Sequence, residues 1–248
     1  LTVTENLLIT VNPVNDNPTA IDDSGTTDED TAFTSNVMSN DFDLDSSSDN
    51  SPENHFSLTV NSVPITDVQN GILTLSIDGE FTYEPNPNYF GTDTFVYELL
   101  DGAGGNSQGT VNIIVSGVND SPVLTIPTDK YTDEEIPISI DGIIFTDIDI
   151  AESEMKMDIN VENSFISLAA IDGLTFISGD GVSDSQLSFT GIKTDILNAT
   201  STITFTPEEN YNGIVAVQVS ISDIGGNGSG GILVDTGEFL VTIASIND

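Results

Sequence analysis

The sequence predicts an all-β protein made of tandem antiparallel Greek-key β-sandwiches, with little or no helix. Short runs of alternating apolar and polar residues, such as Leu73–Ile77 and Thr94–Leu100, have the period of strands with one buried face. Gly, Asn and Asp separate these runs at regular spacing. No stretch longer than about one turn repeats with the helical period. The pattern is typical of sandwiches with about seven strands or slightly more.

The composition narrows the possible partners. The 248 residues include 41 acidic residues against three lysines and no arginine, which gives a net charge of −38. Nucleic acid and anionic membrane surfaces require Lys and Arg, so neither is an expected partner. No apolar run is long enough for membrane insertion, and cysteine is absent. Such a chain repels itself when folded, and bound divalent cations would offset that repulsion.

A short acidic linker recurs along the chain. Val14–Pro18 reads Val-Asn-Asp-Asn-Pro, Val118–Pro122 reads Val-Asn-Asp-Ser-Pro, and the chain stops on Ile246–Asp248, which reads Ile-Asn-Asp. Each copy follows a β-branched run, and the proline after each of the first two prevents a strand from continuing. A segment that ends one unit and begins the next is a domain junction.

The linkers predict the domain boundaries. Residues 1–17 are expected to be the last strand of a preceding repeat plus its linker, residues 18–121 one repeat, and residues 122–248 a longer repeat that ends in the next linker. Leu1–Asn12 alternates like a strand and lacks the basic start of a signal peptide. We therefore expect the sequence to be an internal piece of a longer protein.

Within the first repeat, acidic segments and turns follow in order. Thr27–Asp30 is an acidic opening, and Asn40–Asp45 carries the Asp-Leu-Asp pair Asp43 and Asp45. Asp78-Gly79 lies between two alternating runs and predicts a two-residue hairpin loop with positive φ at both residues. Asp101 ends a strand and begins a glycine-rich turn.

The second repeat follows the same plan. Asn15 to Asp43 and Asn119 to Asp147 are both 28 positions apart, and the later motifs recur at a constant offset of 122 as far as Asp101 and Asp223. Two diverged copies of one unit explain this spacing. The second copy has about 18 extra residues within Asn163–Asn198. There, Leu168–Ile177 and Leu187–Ile192 predict extra or longer strands, and Ile192–Asn198 one helical turn.

The repeated acids suit a hard cation. Calcium takes six to eight oxygens from Asp, Glu, Asn, backbone carbonyls and water. An Asp-x-Asp pair on an extended segment places both carboxylates on one side, because side chains alternate with period two. Magnesium requires stricter octahedral geometry, and soft metals find no thiol and a single histidine, His55, to which we assign no role. The alternative is that these aspartates are solvated turn residues and that most acids only keep the protein soluble.

These motifs together resemble the tandem cadherin-like repeats of large bacterial extracellular adhesins. The resemblance is carried by the two linkers, the Thr-Asp-Glu openings, Asn40–Asp45 with Phe145–Asp149, and the segments Asn88–Gly102 and Asn210–Asp223. It implies an extracellular stalk or adhesive role, with calcium at the junctions. The metal ligands it implies are Asn15, Asp16, Asn17, Glu29, Asp43, Asp45, Asp101, Asn119, Asp120, Glu134, Asp147, Asp149 and Asp223.

Two departures from the family pattern matter. The mid-domain Asp-Arg-Glu motif of animal cadherins has no counterpart, and Ser121 stands where the first linker has Asn17. Fewer or weaker ions are therefore expected at the second junction. Asp101 and Asp223 are equally compatible with ordinary turn starters, and the opening glutamates with solvated surface. Among the aromatics, Tyr83, Phe95 and Tyr97 are expected in the core, and Tyr89 and Tyr211 at packed corners.

Three function classes remain. The first is a calcium-rigidified stalk or cell-adhesion module, with calcium ions, neighbouring repeats, and surface glycans or like modules on other cells as partners. The second is a glycan-binding β-sandwich of a polysaccharide-associated protein, which the absence of Trp disfavours. An enzyme is the weakest, because no cysteine nucleophile is present and the paired carboxylates fall at repeat boundaries rather than in one cleft. We expect no catalytic residues.

Overall fold

The computed structural model describes residues 9, 14–44, 57–150, 153–225 and 228–247. The chain forms two compact units, Leu1–Gly117 (unit 1) and Val118–Asp248 (unit 2). The linkers Val14–Pro18 and Val118–Pro122 thus each fall in the unit whose fold they lead into. The predicted strand at Leu1–Asn12, apart from Ile9, lies outside the described residues, and so do Asp45, His55 and Asp248.

Unit 1 is a two-sheet sandwich. One sheet has the order β1-β7-β6-β3 and the other β2-β5-β4. Pairing is antiparallel except between β1 and β7, which run parallel. A short 3-10 turn, Val37–Ser39, follows β2. The strands are β1 Asp23–Asp28, β2 Phe33–Asn36, β3 Thr59–Val60, β4 Gly71–Leu75, β5 Glu80–Pro85, β6 Gly91–Leu100 and β7 Asn106–Ser116.

The core of unit 1 follows from the alternation of its strands. On β6, Phe95, Tyr97 and Leu99 are fully buried, and Phe81 and Tyr83 of β5 face them from the other sheet. Phe81 and Phe95 meet edge to face, with ring centroids 5.1 Å apart. The aromatic side chains predicted for the core are therefore confirmed there.

The hairpin between β4 and β5 differs from its prediction. The register pairs Leu75 with Phe81, and the Gly79 amide donates to the Ser76 carbonyl over 3.0 Å. The loop thus has three residues, and of these only Gly79 has positive φ, at 83°. The prediction of a two-residue loop with positive φ at both positions is wrong, because Asp78 takes the ordinary turn conformation and the glycine alone supplies the left-handed residue.

Unit 2 has the same plan with additions. Its sheets have the orders β14-β15-β12-β17-β18-β9, β10-β16-β13 and β11-β8. Again one pair, β9 with β18, is parallel. The elements are β8 Val123–Thr125, β9 Lys130–Asp133, β10 Ile138–Asp141, β11 Ile144–Thr146, β12 Glu154–Asn160, β13 Ser164–Ser167, β14 Thr175–Ser178, β15 Gln186–Ile192, α1 Lys193–Thr200, β16 Thr202–Pro207, β17 Gly213–Ser222 and β18 Val234–Ala244.

The predicted insertion accounts for the larger sheet of unit 2. Strands β14 and β15 add to the edge formed by β12. Helix α1 has eight residues, about two turns rather than the predicted single turn, and buries Ile196 and Ala199. Phe189, contributed by β15, is fully buried in the same core as Phe205 and Phe239. The insertion therefore enlarges the core as well as the sheet.

The repeated corner motif folds alike in both units. Asn88 and Asn210 have φ of 57° and 60°, a left-handed conformation that Asn tolerates. The following tyrosines, Tyr89 and Tyr211, pack half-buried against their cores, as predicted. A Cβ on Gly91, whose φ is 136°, would lie 3.1 Å from the Tyr89 hydroxyl oxygen, so a side chain is disfavoured there.

Candidate metal centre

The predicted ligands of unit 1 meet where its linker enters the fold. Asp101 is 1% exposed, and its Oδ1 accepts the backbone amides of Ala103, Gly104 and Gly105 at 2.8–2.9 Å. Its Oδ2 accepts the Asn15 side-chain amide at 2.7 Å. Burial alone would raise the pKa of Asp101, but these hydrogen bonds together lower it below its usual value. The carboxylate is thus held ionised by its own turn and by the linker.

Asn17 and Asp43 lie at the same end of unit 1. A Cβ on Gly105 would lie 2.8 Å from the Asn17 side-chain oxygen and against the Asp101 carboxylate, so both groups border that glycine. The Thr19 amide donates to the Phe42 carbonyl at 2.7 Å, which brings Asp43 beside the start of the unit. Asp43 is 5% exposed, whereas the linker residues from Asn15 to Asn17 are exposed. We call Asn15, Asp16, Asn17, Asp43 and Asp101 the linker site of unit 1.

In unit 2 the linker is more deeply held. Asn119 is 5% exposed, and its backbone amide donates to the Ser229 carbonyl at 2.7 Å. Its side-chain Nδ2 donates to Asp223 Oδ2 and to the Gly231 carbonyl, the latter at 2.9 Å. Both partners are acceptors, so they fix the orientation of the amide. Asp223 Oδ1 accepts the amides of Gly225 and Leu233, at 2.9 and 3.0 Å.

The Asp-x-Asp pair completes this end of unit 2. The Asp120 amide donates to Asp149 Oδ2, and Asp147 Oδ1 accepts the amides of Asp149 and Ile150 at 3.0 and 3.2 Å. Burial raises the pKa of Asp147, and the Asp149 and Asp223 carboxylates raise it further, against those two hydrogen bonds. We call Asn119, Asp120, Asp147, Asp149 and Asp223 the linker site of unit 2.

Two oxygens of this second site are buried acceptors without a hydrogen-bond partner. They are Asn119 Oδ1 and Asp147 Oδ2. Such groups are costly unless a donor or a cation satisfies them. A hard cation matches them, because both are oxygen ligands of the kind that calcium takes. The residues present in unit 2 therefore fit a calcium ion.

The carboxylates are not arranged as a complete protein cage. Among the residues that the structure describes, no three Asp, Glu or His side chains converge at metal-binding distances. Asp45, a predicted ligand in unit 1, falls outside those residues. Amide oxygens, backbone carbonyls and water would supply the remaining positions of a calcium shell.

The opening glutamates lie at the other end of each unit. The Glu29 amide donates to the Ser116 carbonyl at 2.9 Å, and the Glu134 amide donates to the Ala244 carbonyl at 2.8 Å. Ser116 and Ala244 are the final residues of β7 and β18. Strand β7 has 11 residues between the Asp101 turn and this end, a span of about 34 Å. Both glutamates are buried, and Glu134 accepts the Ile246 amide at 2.7 Å. They therefore do not join the linker site of their own unit.

A lysine side chain that the sequence pattern did not indicate lies beside the linker site of unit 2. Lys193, the first residue of α1, places its Nζ 3.5 Å from the Asp147 carbonyl oxygen. All three lysines of the chain belong to unit 2, so unit 1 has no counterpart. Residues 147 and 193 are far apart in sequence, and no local pattern indicates their contact. The same holds for the Ser229–Gly231 segment that receives Asn119.

The comparisons with known proteins agree with this architecture. The family model of the bacterial cadherin-like domain matches residues 15–117, which is most of unit 1 and includes nearly all of its linker. No curated protein matches the chain. In the described part of the chain, no helix is long and apolar enough to cross a membrane.

Several solved structures resemble the chain at low identity. Human protocadherin-24 EC1-2 is 14% identical, with 94% of this chain and 100% of that one covered and a TM-score of 0.46. Protocadherin gamma B2 extracellular cadherin domains 3–6 are 13% identical, with 93% and 47% covered and a TM-score of 0.44. An endo-fucoidan hydrolase of glycoside hydrolase family 107 is 15% identical, with 96% and 30% covered and a TM-score of 0.33. The chain thus spans under half of the last two structures, and TM-scores this low support no inference about its activity.

Proposed function

We propose that this chain is a calcium-binding extracellular repeat segment of a large bacterial surface adhesin, in which it serves as a stalk or cell-adhesion module. The observation that carries the proposal is the pair of buried acceptors Asn119 Oδ1 and Asp147 Oδ2 in the linker site of unit 2. The match of unit 1 to a bacterial cadherin-like domain supports it. Calcium, neighbouring repeats of the same chain, and surface glycans or like modules on other cells are the partners that this role requires.

Calcium is favoured over other metals by the donors. The site offers carboxylate and amide oxygens and no thiol or imidazole, which excludes a preference for zinc or copper. Its oxygens come from a linker, a loop and an Asp-x-Asp turn, an irregular donor set that suits the variable geometry of calcium better than the octahedron of magnesium. Each bound ion would add two positive charges to a chain of net charge −38.

The proposed role of calcium is to fix each linker onto the unit that follows it. Asn119, Asp120 and Asp147 would ligate the ion in unit 2, and Asn15, Asn17, Asp43 and Asp45 in unit 1. Glu29 and Glu134 are proposed as calcium ligands at the opposite end of their own units. The repeats proposed on this basis are residues 18–121 and 122–248, and no residue is assigned a catalytic role. Extracellular modules bind calcium at roughly 0.1–1 mM, so the site would fill outside the cell and stay empty inside it.

Calorimetric titration of the 248-residue chain with calcium tests the proposal. We expect saturable binding with a Kd of roughly 0.1–1 mM and much weaker heat with magnesium. Asp147→Ala should remove part of the binding, whereas Asp141→Ala, an exposed carboxylate on β10, should not. Limited proteolysis at Asp120 should be fast in chelator and slow in calcium. Wild-type protein that gives no saturable calcium heat would overturn the proposal.

A further inference from the structure

A polar notch on unit 2 is not used by the calcium sites. Strand β12 ends at Asn160, opposite Gln218, whereas β17 continues back to Gly213. The chain leaves the sheet at Asn163, whose φ is 50°, and crosses to pair with β16. The result is a groove of about 590 Å³. We define the notch by its lining residues Asn160, Glu162, Asn163, Gln186, Tyr211 and Gln218.

Unit 1 has the same strand pairing at the equivalent place but different side chains. At the offset of 122, Gln218 corresponds to Val96. There the Ile65 amide donates to the Val96 carbonyl at 2.8 Å, and the Val96 amide donates to the Thr66 carbonyl at 2.9 Å. Val96 is thus paired at its edge, as Gln218 is paired with Asn160. The chain then crosses to the other sheet in both units, where the Asn70 carbonyl accepts the Asn86 amide as the Asn163 carbonyl accepts the Glu208 amide. Thr66 and Val96 stand where the notch has Asn160 and Gln218, so the two amides are specific to the longer unit.

The side chains of the notch are mainly neutral amides. The register aligns Gln186, Asn160 and Gln218 as one row across three neighbouring strands, all exposed. Gln218 continues the row by donating to Glu238 Oε2 at 3.1 Å, which leaves its carbonyl oxygen for another donor. An amide offers both donors and an acceptor, as a sugar hydroxyl does. A row of amides at strand spacing, about 4.8 Å, matches alternate equatorial hydroxyl groups of a sugar ring rather than neighbouring ones.

Two apolar side chains line the same notch. Tyr211 is half-buried, and Ile214 beside it is 62% exposed. Binding sites for small molecules combine such an apolar surface with a few polar groups that fix orientation. The C–H face of a sugar ring packs on an apolar or aromatic surface while its hydroxyls meet the amides.

Charge decides which sugars fit. No lysine lines the notch, and Glu162 lies on its rim. A chain of net charge −38 repels sulfated or uronic sugars at close range. We infer that the notch binds a neutral oligosaccharide of two to three residues, as a glycan-recognition site separate from the calcium sites.

Saturation-transfer NMR on the 248-residue chain in calcium tests this inference. The probes are cellotriose, laminaritriose, maltotriose and mannotriose, with trigalacturonate as the anionic comparator and tetra-alanine as the peptide comparator. We expect at least one neutral trisaccharide to bind, with a Kd of roughly 0.1–1 mM. Gln218→Ala and Asn160→Ala should each weaken that binding by about tenfold or more.

A matched control exists in unit 1. Gln108 is an exposed amide paired across the sheet with Glu98, as Gln218 is with Glu238. Gln108→Ala should leave binding unchanged. Gln186→Ala replaces either variant if its melting temperature shows a folding defect. The inference is overturned if none of the four neutral probes binds at about 10 mM. It is also overturned if the notch variants bind as tightly as the wild type, or if only the anionic or peptide probe binds.

Discussion

The linker sites of the two units share one sequence plan but differ in how they hold their oxygens. In unit 1, Asp101 is wrapped by its own turn, because β7 begins at Asn106, only five residues later. In unit 2, β18 begins at Val234, and the longer loop after Asp223 reaches the linker and buries Asn119 through Ser229 and Gly231. Both strand-end aspartates accept amides of their own turn and the side chain of the linker asparagine, so loop length decides how deeply that asparagine is buried.

The two linker sites also differ in whether their buried oxygens accept hydrogen bonds. In the linker site of unit 2, Asn119 Oδ1 and Asp147 Oδ2 are buried without a hydrogen-bond partner. In unit 1 the linker amide Asn15 is exposed, and Asp101 has both of its oxygens occupied. We therefore expect unit 2 to be the more preorganised for calcium, which acts against the weakening expected from Ser121. The following predictions test this comparison.

The largest effect should come from removing the strand-end aspartates. Asp101→Ala leaves three backbone amides and the Asn15 side chain without their acceptor. Asp223→Ala likewise removes the acceptor of the Asn119 side chain and of the Gly225 and Leu233 amides. Each change should lower the free energy of unfolding of its own unit by about 3 kcal/mol in chelator, because unsatisfied buried donors cost about 1–3 kcal/mol each. Denaturant unfolding followed by hydrogen exchange assigns the loss to a unit. Glu84→Ala and Asp141→Ala, both exposed, are the controls.

The second-largest effect should be that of Asp147→Asn on the stability of unit 2, and its sign should depend on calcium. Asp147→Asn removes a buried charge whose pKa is raised by burial and by Asp149 and Asp223, so unit 2 should be more stable than wild type in chelator. In calcium the wild type should be the more stable, because binding at a hundredfold excess over Kd adds about 2.7 kcal/mol. Melting curves in both conditions measure the crossover. The same sign in chelator and calcium would contradict the proposed site.

A smaller effect should follow from Lys193→Gln. The ammonium group near the Asp147 carbonyl repels a divalent ion at the same site, so its removal should tighten calcium binding in unit 2 by a few-fold, about 1 kcal/mol for a partly exposed charge. Unit 1 has no lysine and should be unaffected. Lys130→Gln, on β9, is the matched control. Calorimetry that gives equal affinities for both variants would show that Lys193 does not act on the site.

The smallest effect should be the pH dependence that Asp23 gives to unit 1. Burial, then the Asp41 carboxylate, raises the pKa of Asp23 to about 6, and an Asn40 hydrogen bond opposes the shift. Because the folded state holds this proton more tightly than the unfolded one, stability should rise as pH falls from 7 to 5 and decrease as pH rises through 6. Asp23→Asn should reduce this dependence. Melting temperatures at pH 5 and 7 for both proteins provide the test.

The sequence predicted much of the fold because repetition revealed it. The constant offset located the corner tyrosines and the core strands of both units, and the insertion was correctly predicted to add strands. The hairpin loop after β4 was predicted with the wrong length, since Asp-Gly alone does not distinguish a two-residue from a three-residue loop. The parallel pairing of β1 with β7 was also not predictable from local pattern, because it joins the first and last strands of unit 1, which are far apart in sequence.

The candidate sites were predicted only as sets of residues. The spacing indicated which aspartates share an end of the fold, and the structure brings Asn15 to Asp101 and Asn119 to Asp223. The roles of the Asp223 loop and of Lys193 depend on contacts between distant segments, which one sequence does not encode locally. The notch was also not predictable from the sequence, because it depends on where β12 ends relative to β17.

Hydrogen exchange in calcium and in chelator tests the central claim most directly. The segments to follow are those around Asn119, Asp147 and Asp223 in unit 2, and around Asn15, Asp43 and Asp101 in unit 1, with β5 and β16 as internal references. If the linker sites bind calcium, protection should increase at these segments at about 5 mM calcium, more in unit 2, with little change in the reference strands. Unchanged protection at both linker sites would contradict the account.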